Sequence, residues 1–246
     1  MIHTNTLTKR SKASLVVIFI VSVVLIFLPV SYAQPTGVDI QDNITDSMGV
    51  IPPDNRTDDG GTITTLTLDV LQQNIRWKAY VGNLSGVLTL DDSSGQSIFQ
   101  WQMGAQDLSG DIFVSRSDAV DWDNIECSNE TVIESEQTFL GLGATSVDNI
   151  NRTFNETTHP ELSIGLVTLT QDTCRSQGTY VNNTAQSIAS ANFPIVLLAS
   201  DLDMVFATPI NSGSDSYNTG EQVDFQIIVP NNPADTTTYF FYAQIS

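Results

Sequence analysis

Basic residues are scarce in this chain. Its 246 residues include nine Lys and Arg against 28 Asp and Glu, and three of the nine, Lys9, Arg10 and Lys12, precede residue 34. Beyond that point six basic residues face all 28 acidic ones, a formal charge of −22, and Lys78 is the one lysine. Binding a phosphate backbone needs clustered Lys and Arg, so nucleic acid is excluded as a partner, and an anionic membrane surface is disfavoured for the same reason. Histidine is nearly absent too. After residue 33 there is only His159, which excludes metal sites built on histidine pairs and leaves a Ser-His-Asp triad one candidate base. His159-Pro160 follows two glycosylation sequons in a loop-like stretch and reads as a solvated loop. Two cysteines, Cys127 and Cys174, are too few for a zinc site. The sequence lacks Gly-x-Ser-x-Gly, a Walker loop and a dinucleotide fingerprint. It also lacks internal repeats, heptads and a second apolar run near the C-terminus, so no tail anchor is expected.

What is present begins with an address. Lys9-Arg10-Ser11-Lys12 precedes an apolar run from Ala13 to Val30, interrupted by Ser14, Ser22 and Pro29. Ser31-Tyr32-Ala33 then places small residues at −3 and −1 of a cut before Gln34, the pattern of a secretory signal peptide over residues 1–33. The alternative is an uncleaved membrane anchor through residues 13–30, because 18 residues rising 1.5 Å each nearly span a hydrocarbon core of about 30 Å. Lys12-Ala13 ahead of the run also resembles the prepilin-type signal of archaeal pilins and archaellins. That reading would carry the helix into Pro29 and Pro35, at about 3 kcal/mol for an interior proline.

Export predicts glycans and a disulfide. Asn-x-Ser/Thr occurs at Asn43, Asn55, Asn83, Asn129, Asn151, Asn155 and Asn182, seven of 17 asparagines, a density that suits a secreted glycoprotein. An Asn- and Thr-rich loop composition is the alternative source of the motif. In an oxidising compartment Cys127 and Cys174 are expected to pair; two free buried thiols are the alternative.

Residues 34–61 are rich in Pro, Gly, Asp, Asn and Thr and read as a flexible leader, or else as an ordered edge extension of the domain. From residue 62 to 246 the pattern becomes short alternating segments between turns. Ile75, Trp77, Ala79 and Val81 alternate with Arg76, Lys78 and Tyr80; Phe99, Trp101 and Met103 with Gln100 and Gln102; Val223, Phe225, Ile227 and Val229 with Asp224, Gln226 and Ile228. Period two places one face in a core and one in water. Further strands are expected at 86–91, 110–116, 162–170, 195–199, 204–208 and 238–245, with 91–95 as a hairpin loop. Two helices interrupt them. Ser128 or Asn129 caps one that runs to Leu140 with Gly141 beyond its end, and Ser146 caps a second through Phe154. The predicted class is all-β, a single antiparallel β-sandwich with two short helical insertions, or alternatively a distorted barrel.

Candidate chemistry is sparse. Asp121-x-Asp123 and Asp201-x-Asp203 space oxygen ligands two apart, as Ca²⁺ favours, though solvated turn and cap aspartates account for them equally. No other cofactor is implied. Trp77 and Trp101 fall on expected inner strand faces, whereas Trp122, between Asp121 and Asp123, is the candidate exposed platform for a sugar ring. A glycosidase pair of carboxylates roughly 5–9 Å apart has no sequence signature among so many acids. Tyr239-Phe240-Phe241-Tyr242 is apolar on both faces. It reads as a central strand, or as an edge that pairs with another subunit.

Several of these segments resemble a loose group of secreted and cell-surface archaeal β-proteins. The resemblance rests on residues 77–86 (Trp-Lys-Ala-Tyr-Val-Gly-Asn-Leu-Ser-Gly), Cys127 with Cys174, residues 147–155, 180–183 and 223–230, and Tyr239–Tyr242. It implies an extracellular protein and supplies no catalytic residues. The leading expectation is therefore a glycosylated, non-enzymatic structural or assembly protein of the cell surface. Its partners would be copies of itself or a surface layer, with the membrane touched only through residues 13–30 if the signal stays. Thr62–Val70 is a segment that could add as a strand to a neighbour. A carbohydrate- or calcium-binding module is the second expectation and a small hydrolase the third.

Overall fold

The structure, a computed structural model, describes residues 34–49, 51–61, 63–102 and 108–245. The signal or anchor assigned to residues 1–33 lies outside them. Among the described residues no helix is long and apolar enough to cross a membrane.

The chain is all-β with two short helices. In order it forms β1 (Thr36–Gly37), β2 (Trp77–Gly82), β3 (Val87–Asp91), β4 (Ser97–Gln102), β5 (Gly110–Ser115), β6 (Ile125–Cys127), α1 (Glu130–Phe139), α2 (Ile150–Thr153), β7 (Leu162–Ile164) and β8 (Val167–Leu169). There follow β9 (Ser176–Gln177), β10 (Tyr180–Val181), β11 (Thr184–Ala185), β12 (Ile195–Ser200), β13 (Asp203–Pro209), β14 (Ser214–Asp215), β15 (Gln222–Val223), β16 (Phe225–Pro230) and β17 (Phe240–Ile245). The main sheet is antiparallel, in the order β1-β17-β5-β13-β12-β6, with β9 also on β12. It does not close into a barrel.

The strands at its centre are buried on both faces, which corrects the expectation of one wet face. Along β12 every residue is buried. Ile195, Leu197 and Ala199 join one core with Ile112, Val114 and Phe206, while Val196 and Leu198 join another with Phe113 and Val205. The first core is roofed by Val132 and Ile133 of α1, Ile150 of α2, and Ile227 and Val229 of the β2–β16 ribbon. The second is closed by Leu162 and Ile164 of the β7–β8 hairpin, with Trp122 and Ile125. Smaller pieces thus cover a central sheet from either side. Alternation survives where one face is wet, as in β2, whose residues swing between half-buried and exposed.

Local chemistry sets the helix ends. The Asn129 side chain accepts from the Val132 N–H at 3.1 Å, capping α1. At its other end the Leu142 N–H reaches the Gln137 carbonyl and the Gly141 N–H reaches Thr138, a Schellman closure that needs the φ of +65° at Gly141. The second helix is shorter than expected. Asn149, not Ser146, caps it by accepting from the Arg152 N–H at 2.9 Å, because residues 143–149 are taken up by a turn that the Asn149 amide ties to Ala144. Gly110 opens β5 at φ +131°, where a Cβ would overlap the Gln244 carbonyl.

The segment read as a leader enters the sheet at its start. Thr36 and Gly37 pair with Ala243 and Tyr242, and the Val38 N–H donates to the Phe241 carbonyl. This places β17 between β5 and β1, so Tyr239–Tyr242 runs into an interior strand, not an edge.

Candidate functional site

The two cysteines stand at disulfide distance, Cα to Cα 4.9 Å. Their position follows from the edge of β12. There β6 lines Leu198–Ser200 and β9 lines Ile195–Val196. Between them Leu197 receives the Ser128 N–H on its carbonyl and donates its own N–H to the Arg175 carbonyl. Cys127 and Cys174 join the two half-strands at that seam. His159 supports the same corner and is buried, 3% exposed, not the solvated loop residue expected. Its Nε2 accepts from the N–H groups of Thr173 (3.1 Å) and Cys174 (2.8 Å), which leaves Nδ1 to donate to the Pro160 carbonyl at 2.7 Å. With both ring nitrogens engaged, it is a brace for the loop. No sequence signal marks it, since its partners are backbone groups 14 and 15 residues away.

The calcium candidates do not converge. Asp121 accepts from the Asp123 N–H at 3.1 Å and from Asn124 Nδ2 at 2.6 Å, capping the turn at Trp122–Asn124. Asp123 accepts from Gln34 Nε2 at 2.5 Å. Asp201 sits at φ +54° in the tight turn between β12 and β13, and Asp203 begins β13. Among the described residues no group of three or more His, Cys, Asp or Glu is placed to hold a metal. Trp122 is likewise no platform. It is 9% exposed and packs between Phe113 (5.2 Å between ring centres) and Tyr242 (5.1 Å), because its turn closes the second core.

Titratable groups in the interior serve the fold. Glu136 of α1 is 4% exposed and is gripped by Arg116 through paired contacts of 2.7 and 2.6 Å. The guanidinium also lies 3.7 Å over the Phe139 ring. Asp111 of β5 is half-buried opposite Gln244 and Pro209, and desolvation pushes its carboxyl up to about 7. Below about pH 3 the carboxyl is protonated folded or unfolded. As pH rises toward 7 the unfolded chain loses that proton first, so stability falls across this window and levels off above it. Asp111→Asn should therefore be more stable than the parent by about 4 kcal/mol at pH 8 and nearly equal to it at pH 3. Urea titrations of both proteins at the two pH values check this. An advantage independent of pH would contradict it.

Six of the seven sequon asparagines are exposed: Asn43, Asn55, Asn83, Asn129, Asn155 and Asn182. Asn129 doubles as the α1 cap, and Asn182 Nδ2 donates to Asp215 at 2.9 Å. Asn151 differs. It is half-buried and its Nδ2 donates to Glu130 Oε2 at 3.1 Å. Asn129 and Asn155 share a shallow polar depression, whose Glu130–Arg175 ion pair spans from α1 to the β9 side.

The surface that stands apart is apolar. Of the 25 large hydrophobic residues exposed among the described residues, 13 lie between Ile63 and Trp101. Two stretches carry 11 of them. One is the isolated ribbon β3–β4, in which Leu88 pairs with Trp101 and Leu90 with Phe99. Period two puts all four on one face, and they are 43–56% exposed. The other is residues 63–71, outside any regular element, with Leu66, Leu68 and Val70 exposed at alternate positions. Sequence reasoning placed Trp101 in the core. It is on the ribbon instead, because period two reports an amphipathic strand and not what covers it. Phe99 and Trp101 meet edge to face at 73°, so they present no common flat surface to a sugar ring. No protein-family model matches the chain, and no curated protein and no solved structure matches it.

Proposed function

We propose that this chain is an exported, N-glycosylated structural or assembly protein of the cell surface or extracellular space, without catalytic activity. The observation that carries the reading is the exposed apolar ribbon β3–β4 together with a strand-prone segment at residues 63–71 that lies in no sheet. A soluble chain that presents this much strand-forming apolar surface has a use for it in association. Three features support export. The signal-like pattern ends at Ala33, and the described chain joins its sheet almost at once, at Thr36. Both cysteines stand at bonding distance, as suits an oxidising exterior. Most sequons are exposed. The acidic surface suits a protein that stays soluble outside the cell.

The test is mass spectrometry of the native protein from cell-surface and medium fractions. A mature N-terminus at Gln34, an intact Cys127–Cys174 link, and glycans at Asn43, Asn55, Asn83 and Asn155 are expected. Asn151 should be unmodified, since its amide nitrogen is held against Glu130. An unprocessed, unmodified chain in the cytoplasm would remove the reading.

A further inference from the structure

We propose that residues 63–71 of one copy add as a strand to the apolar ribbon β3–β4 of a second copy. The inference rests on the assembly reading above and names its surface and partner. Both halves are visible in one chain. The ribbon has two strands, of five and six residues, and among the described residues neither outer edge is paired. A two-stranded ribbon alone is marginal in water, and a third strand or a cover is what makes it persist. Leu88, Leu90, Phe99 and Trp101 form its apolar face.

The segment Ile-Thr-Thr-Leu-Thr-Leu-Asp-Val-Leu has the matching composition and period. Its Leu66, Leu68 and Val70 fall on one face when it is extended, and five residues from Leu66 to Val70 equal the length of β3. Its single charge is Asp69, and the ribbon's carboxylates, Asp91 and Asp92, lie at its turn, away from Leu88 and Trp101. Backbone pairing supplies affinity in such strand addition, and alternate side chains supply register. Edge pairing would give Leu66, Leu68 and Val70, which are 55%, 80% and 83% exposed in the single chain, same-face apolar neighbours on the ribbon.

The donor comes from another copy because of how the segment is moored. Asn74 Nδ2 donates to Asp148 at 3.1 Å, Arg76 to the Gly141 carbonyl at 2.8 Å, and Trp77 Nε1 to the Asp148 carbonyl at 2.7 Å. These contacts hold the chain at the start of β2, whereas the ribbon departs from its far end. Within one chain the segment would spend about five residues running back along β2 before reaching the ribbon. A second copy delivers it whole. Reciprocal exchange closes a two-fold dimer; exchange onto a third copy builds a chain of subunits.

Sedimentation velocity on the full mature protein tests this, with two double variants. Leu66→Asp/Leu68→Asp spoils the donor, and Phe99→Asp/Trp101→Asp spoils the acceptor. Both sites are exposed, so far-ultraviolet dichroism and melting temperature should match the parent. The parent is expected to associate, more tightly in 1 M than in 0.1 M salt because screening relieves the repulsion of two acidic surfaces. Each variant alone is expected to associate at least 100-fold more weakly. Mixed one to one, they should form a heterodimer, since one sound donor meets one sound acceptor. A mixture that stays monomeric overturns strand exchange, as does pairing of 63–71 within its own chain. Association unchanged in both variants overturns it while leaving self-assembly standing. A parent that is monomeric at every concentration and salt overturns the proposal and the assembly reading together.

Discussion

Serine in place of both Cys127 and Cys174 is expected to lower the unfolding free energy by about 4 kcal/mol, the chain-entropy value for a closed loop of this size. The cysteines are 47 residues apart in sequence. The seam at Leu197 adds a native-state reason. With the link cut, β6 and β9 hold the edge of β12 through two or three residue pairs each, too little to keep two half-strands aligned. The Cys174 N–H is also one of the two that His159 accepts, so loosening it frees the brace at Pro160. Guanidinium titrations of the oxidised parent and the double serine variant, read by dichroism, measure the difference. A changed slope as well as a shifted midpoint would show that the linked loop compacts the unfolded chain. A loss under 1 kcal/mol would mean that β6 and β9 are secured by other means.

Arg116→Ala is expected to cost about 3–5 kcal/mol, the loss seen when one member of a buried ion pair is left alone. Glu136 is 4% exposed and both its oxygens face the guanidinium. Removing Arg116 strands that carboxylate beneath α1 and exposes the Phe139 face it covers. The pair itself is no large source of stability, because bringing both charges out of water offsets most of their attraction. Hence Arg116→Met with Glu136→Leu should recover most of the loss. Thermal and urea melts of the single and double variants form the cycle. A single variant within 1 kcal/mol of the parent would show that water reaches Glu136 readily.

Much of the fold was legible in the residues. Alternation at 75–81 and 223–229 marked β2 and β16, which indeed pair. The apolar runs at 195–199 and 204–208 marked β12 and β13. Asn129 and Gly141 marked both ends of α1, because caps and left-handed glycines act within a turn or two of themselves. The misplacements share a cause. Trp101 and Trp122 exchanged roles, since an aromatic residue in a strand or a loop carries no local mark of what lies above it. His159 was missed as a brace because its partners are backbone groups 14 and 15 residues away, whereas Asn149 was passed over for Ser146, an equally good local cap residue three positions earlier.

By itself the sequence determined the all-β class, the positions of the longer strands and of α1, the pairing candidates among two cysteines, and the poverty of catalytic and phosphate-binding groups. Each of these depends on composition or on contacts a few residues apart. Only the tertiary structure decided that the central sheet is covered on both sides, that β6 and β9 meet end to end at Leu197, and which apolar faces stay uncovered. Those outcomes depend on pairings across tens of residues, such as Trp77 with Pro230 or Cys127 with Leu198, where many registers satisfy the same alternation and packing selects one.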